Sequence, residues 1–252
     1  MRLLEEYIRE FLGNQDARQQ QLGRRLERCR RSWDVHAGGN ARRALRSFVA
    51  QYNWFGVNKG AYNINQNMAR NLVGALMQDY LVHLMLGVVK AYPTLDVFTE
   101  VRVPFGTYPL WASGGVTFSR PAQQVDVGVG YRMVEDRPVV PKDPWPRRAI
   151  SQLSGGEVVM PVVVINSKIR VSQSEFFDWL GRDELLAKGN PSCLSAQVAL
   201  RSEMDLSIVE AAQAKEKFFL LGSGGEANVV QNSEEVGRLV NLVEGHLRER
   251  MT

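Results

Sequence analysis

Two stretches of this chain put polar side chains where an apolar strand predicts none. Val125-Asp126-Val127-Gly128-Val129 carries a carboxylate between valines, and Met160-Pro161-Val162-Val163-Val164-Ile165 runs into Asn166-Ser167-Lys168. Successive side chains of a strand point to opposite faces. The valines of the first stretch therefore share one face. Asp126 takes the other, with only Gly128 and Gly130 beyond it to leave space. Asn166 and Lys168 share a face that Ser167 does not. If the two strands are neighbours, a carboxylate, an amide and an ammonium converge at the end of a buried sheet. Burying either charge alone costs on the order of several kcal/mol, so the trio forms an ion pair or serves a function. The chemistry open to it is a hard cation held by the carboxylate and an anion met by the ammonium.

Other chemistries find little support. Gly222-Ser223-Gly224-Gly225 lacks the Gly-Lys-Ser/Thr of a phosphate loop, and no GxGxxG opens a helix. Cys29 and Cys193 have no histidine at useful spacing, and His36, His83 and His246 are scattered. Two such cysteines make neither a metal knot nor a disulfide framework, and they fit reduced thiols in a cytoplasmic protein.

The elements that must position the trio follow from the pattern. With 44% hydrophobic and 23% charged residues, the 252-residue chain has the composition of a globular protein large enough for a real core. Residues 1–12 read as an amphipathic helix, since Glu5, Glu6 and Glu10 break any apolar run, and no secretory signal is visible. Residues 1–92 read as helical. Leu72, Leu76, Tyr80, Leu84 and Val88 recur at helical spacing, and Pro93 stops the run. The window Leu72 to Val89 contains Gln78, Asp79 and His83, which a bilayer would penalise, so a buried helix and no membrane partner are expected. Strand patterns occupy Val97 to Val103, Val125 to Val129 and Val158 to Ile165, and a Pro-rich surface loop runs from Val134 to Gly156. Helices return from about residue 172, with one more strand at Lys217 to Leu221. This order predicts an α/β sandwich with a mixed sheet rather than an alternating doubly wound fold.

The Asp126 and Asn166-Ser167-Lys168 pattern resembles the PD-(D/E)XK nuclease superfamily, and among its members the type II restriction endonucleases. The resemblance rests on residues 125–180. It implies a restriction-endonuclease-like three-layer core with a mixed central sheet flanked by helices. A helical N-terminal region over 1–92, carrying DNA contacts, would pack on a nuclease core over 93–252. Val125 stands where the pattern has proline, and Asn166 where it usually has an acid. The resemblance also implies Mg²⁺, held by Asp126, the main-chain carbonyl of Ser167 and the Asn166 amide oxygen. Lys168 would orient the attacking water and balance charge on the phosphorane.

The missing acid invites a replacement. Glu157 lies nine residues before Asn166, roughly 30 Å of extended chain and too far to share an ion. Ser172-Gln173-Ser174-Glu175 reads as a capping box that occupies Glu175. Asp79, paired with His83 at i, i+4, is the remaining candidate from a preceding helix.

Duplex DNA is the expected partner. Eight arginines lie between Arg24 and Arg46 against Glu27 and Asp34, a local surplus of six where the whole chain carries four. Arg24 to Arg31 read as one surface helix, whereas a glycine turn delivers Arg42 and Arg43 as phosphate or guanine contacts. The amide-rich stretch from Gln51 to Asn71 adds Lys59, Asn65 and Arg70, and Arg170, Ser172 and Gln173 follow Lys168 toward the phosphates flanking a cut. Two-strand cleavage implies two sites, hence a homodimer, with a second, different subunit as the other possibility. Two rival readings stand beside this one: a structure-specific repair or recombination nuclease, and a non-catalytic DNA-binding protein on a nuclease-like fold.

Overall fold

The computed structural model describes residues 3–36, 40–104, 108–112, 115–119, 122–134, 137–139 and 157–251. Four helices come first: α1 (Leu4–Gly13), α2 (Ala17–His36), α3 (Ala41–Asn58) and α4 (Gln66–Val89). The strands β1 (Asp96–Pro104), β2 (Tyr108–Ala112), β3 (Gly115–Ser119), β4 (Ala122–Val134), β5 (Arg137–Val139) and β6 (Glu157–Val171) follow. The remainder is α5 (Gln173–Gly189), β7 (Leu194–Ser202), α6 (Leu206–Gln213), β8 (Phe218–Leu220), β9 (Gly222–Ser223), β10 (Val230–Gln231) and α7 (Ser233–Met251). Of the Pro-rich loop expected over Val134 to Gly156, residues 137–139 form β5, and its positions 140–156 lie outside the described residues.

The main sheet runs β1-β4-β6-β7-β8, with β5 on β4. The β1–β4 and β4–β6 pairs are antiparallel, whereas β6–β7 and β7–β8 are parallel. Parallel neighbours need a crossover, and α5 and α6 supply the two crossovers. The sheet is therefore mixed, as the element order predicts.

Helices cover both faces and make three layers. One apolar cluster joins α1–α4 and α7 to Val127, Val129, Val163, Ile165, Ala196, Val198 and Leu200 of the sheet. A second packs Phe176 and Trp179 of α5 with Val209 and Ala212 of α6 against Val171, Ala199 and Phe218. Helix α4 is long and apolar enough to cross a membrane by length and composition. It is buried almost all round, and such a helix belongs inside a protein core. Its start is fixed by Asn65, whose side chain accepts from the Met68 amide at 2.8 Å.

Two local features differ from simple alternation. Val127 and Val129 join the large helical cluster, but Val125 belongs to a separate one with Phe98 and Val164. The valines thus do not share one face, because the β1–β4 ladder passes from Thr99↔Val127 to Val101↔Val125 without pairing the residues between. Glu100, opposite Asp126, has φ +52°. Gly130 opens no space beside the carboxylate either. The β4–β6 register shifts there, and a Cβ would meet the Met160 carbonyl oxygen at 2.2 Å. Glycine is needed at that position for the close approach of two backbones.

Candidate active site

Asp126 and the Asn166-Ser167-Lys168 tripeptide stand on adjacent central strands, where β4 leaves β6. The β4–β6 pairing stops at Val127↔Ile165, while β6 continues beside β7 to Val171↔Ser202. The tripeptide therefore sits inside a strand that has lost one neighbour, rather than closing it, because β7 still occupies the other edge. The amide exposed by this parting is taken by the carboxylate: Ser167 N–H donates to Asp126 Oδ2 at 2.6 Å, and the Ser167 hydroxyl donates to the same oxygen at 3.0 Å. The N–H and C=O of one strand residue face the same edge, so the Ser167 carbonyl also looks toward Asp126.

Burial pushes the Asp126 carboxyl above the ordinary carboxylate range, against the two bonds from Ser167. The charge of Glu100 adds to the rise and that of Lys168 opposes it, so both side chains act on this carboxylate. Lys168 Nζ lies 3.4 Å from Glu175 Oε1, and its side chain is half-exposed. Glu175 also closes the capping box of α5: its amide bonds the Ser172 hydroxyl, and its Oε2 accepts from Ser172 N–H at 3.0 Å. Desolvation alone would raise the Glu175 carboxyl. The Ser172 bonds and the Lys168 charge hold it below its usual value. Asn166 is 4% exposed, and its Nδ2 is buried without a hydrogen-bond partner. An orphaned buried donor of this kind costs about 1–3 kcal/mol.

The sequence reading missed Glu100 and Gln78. The Gln78 carboxamide, reaching from α4, donates through Nε2 to Glu100 Oε1 and to the Asp126 carbonyl, both at 2.8 Å. Gln124 donates to the other Glu100 oxygen. A left-handed backbone at a residue other than glycine costs of order 1–3 kcal/mol and concentrates at functional sites. The sequence offered no signal for Glu100, which falls in phase with Phe98 and Arg102 on one face of the Val97–Val103 alternation.

Asp79 is placed elsewhere. Its Oδ2 lies 3.2 Å from Arg30 Nε and 3.4 Å from His83 Nε2, with 2% of the side chain exposed. The helix expected to send a polar group to the site does so, but through Gln78, one residue and about 100° of helix away.

The basic residues divide by their partners. Arg25 stacks over Trp54 and bonds Gln51, Arg30 meets Asp79 and Glu5, and Arg31 meets Glu27. Arg25 and Arg30 of α2 thus serve the fold, whereas Arg24, Arg28 and Arg31 of the same helix are exposed, as are Arg42, Arg43 and Arg70; the glycines at 38 and 39 lie outside the described residues. Within the amide-rich stretch, Asn53 clamps both main-chain groups of Val229, and Asn58 bonds the Trp54 carbonyl. Lys59 pairs with Glu226 and Arg170 with Glu203. Arg170 stands beside Arg201, which the sequence did not single out, and the charges of both reach Glu226. Asn65 and Ser172 cap α4 and α5, and Gln173 is the exposed first residue of α5.

Among the described residues no group of three or more His, Cys, Asp or Glu forms a ready cation cage. The donors that do assemble are hard oxygens: two carboxylates, a strand carbonyl and side-chain amides. That set fits Mg²⁺, which takes one or two carboxylates and keeps several waters.

The fold is a mixed α/β one, a sheet between helical layers with a helical N-terminal region. Among solved structures the chain is similar to the BbvCI restriction enzyme, a native A2B2 tetramer at low resolution, with 9% identity, 82% of this chain and 88% of that one covered, and a TM-score of 0.44. No protein-family model matches the sequence. No curated protein matches it either.

Proposed function

We propose that this protein is a Mg²⁺-dependent endodeoxyribonuclease, a type II restriction endonuclease that hydrolyses both strands of duplex DNA at a short sequence. One observation carries the reading: where β4 and β6 part, the Asp126 carboxylate is fixed by Ser167 N–H at 2.6 Å, with Lys168 next along the strand. An acid, an inward main-chain carbonyl and a half-exposed amine thus share one opening of a buried sheet.

The bound ion would supply neutralising charge at the scissile phosphate and a more acidic water. Asp126, the Ser167 carbonyl and the Asn166 amide oxygen would hold it. Lys168 would orient the attacking water and offset the charge that grows on the phosphorus oxygens. The new bond joins the water oxygen to phosphorus, the bond to the leaving sugar oxygen breaks, and that oxygen takes up a proton. Arg42, Arg43, Lys59, Arg70, Arg170 and Gln173 would grip the duplex backbone. Asn65 and Ser172 stand at helix N-termini, where main-chain amides favour phosphate. Cleavage of both strands would need two such sites, brought together in a homodimer in the cytoplasm.

Incubating plasmid with the protein, with and without Mg²⁺, tests this. Discrete fragments that appear only with Mg²⁺ are expected. Smears or nicks would instead favour a structure-specific nuclease, and retardation without cutting a non-catalytic DNA-binding protein.

A further inference from the structure

We infer that Glu100 completes the cation site begun by Asp126, supplying the carboxylate that the chain lacks at Asn166, with Gln78 as its positioning residue. The inference rests on the nuclease reading above. Glu100 and Asp126 occupy facing places on β1 and β4, between the pairs Thr99↔Val127 and Val101↔Val125. Gln78 Nε2 touches an oxygen of each residue at 2.8 Å. Both partners are acceptors, so the amide orientation is fixed with nitrogen toward them.

That orientation leaves Gln78 Oε1 buried with no donor, in a residue 1% exposed. Buried carbonyl oxygens are rarely left so, and each exception calls for an unseen water or ion. An acceptor without a donor beside the Glu100 carboxylate and the Asp126 main-chain carbonyl is complemented by a cation and its waters. If Gln78 served only to tie α4 to the sheet, its oxygen would have no reason to stay unsatisfied. The acid has thus moved from the strand β6 to the strand β1, on the far side of Asp126.

Calorimetric titration of Mn²⁺ alone into the full chain tests the assignment. Wild type should bind Mn²⁺, and Glu100→Gln, which removes the charge but keeps one acceptor oxygen for Gln78, should bind at least about tenfold more weakly. Gln78→Leu should also weaken binding, which a merely structural tie would not do. Adding Asn166→Asp to Glu100→Gln should recover affinity, since it returns an acid to the other side of Asp126. Glu100→Asp, which retains the charge, should lie between wild type and Glu100→Gln and guards against a folding defect. Wild-type affinity in both Glu100 variants, with Asp126→Asn having lost Mn²⁺, overturns the Glu100 assignment and leaves the metal-site reading intact. Mn²⁺ binding absent from wild type, or unchanged in Asp126→Asn, overturns both.

Discussion

Cys29 and Cys193 are buried, and desolvation pushes both thiols up to about 12. At pH 8 roughly one molecule in ten thousand then carries the reactive thiolate at either position. A disulfide-exchange dye at pH 8 should therefore leave both cysteines untouched in the folded protein and titrate two in denaturant. Rapid reaction of the native protein would contradict the packing around α2 and β7. Asp126, Ser167 and Lys168 were legible in the sequence because strand alternation is local and a polar residue among valines stands out. Glu100 and Gln78 were not, because their relevance depends on register between β1 and β4 and on the docking of α4, both non-local. Asp79 lies one residue on in the same helix, and which of the two reaches the site depends on how α4 docks.

At the scale of elements, the capping box of α5 does two things. Ser172 and Glu175 start the helix, and Glu175 also holds the Lys168 ammonium at 3.4 Å. Ser172→Ala should cost about 1 kcal/mol of stability at neutral pH, measured by chemical denaturation. The sign of its pH dependence follows from Glu175, whose carboxyl is lower in the folded protein than in the unfolded chain. Stability from that group is present above its unfolded value and lost as pH falls through the folded one, so the penalty of the substitution should shrink in acid. A penalty that stays constant or grows in acid would argue against the Glu175 contacts. This box was readable from four residues, whereas Asn65, which the sequence suggested as a DNA contact, caps α4. The end of β4–β6 pairing was not, since no residue type marks where one strand leaves another. Gly130 shows the same limit: its type announced a special position, but not that β6 backbone fills the space beside it.

Across the whole molecule, the basic surplus resolves into two populations. Arg25 and Arg30 of α2 are spent on Trp54, Gln51 and Asp79, and the exposed Arg24, Arg28, Arg31, Arg42, Arg43, Arg46 and Arg70 would, on the proposed reading, face a polyanion. Arg170 and Arg201 lie on the strands that follow the tripeptide, so positive charge continues past the site along β6 and β7. Three layers, with α4 buried beneath the sheet, hold Gln78, Glu100, Asp126 and Ser167 in mutual contact through hydrogen bonds of 2.6–3.0 Å. The layered architecture and the mixed sheet were readable from element order, since antiparallel strands precede the two helical crossovers. The most direct measurement compares wild type with Lys168→Ala on one plasmid in Mg²⁺, following fragments by electrophoresis and DNA binding by retardation. Loss of cleavage by at least about a hundredfold with binding retained is the expected result. Undiminished cutting by Lys168→Ala would contradict the account.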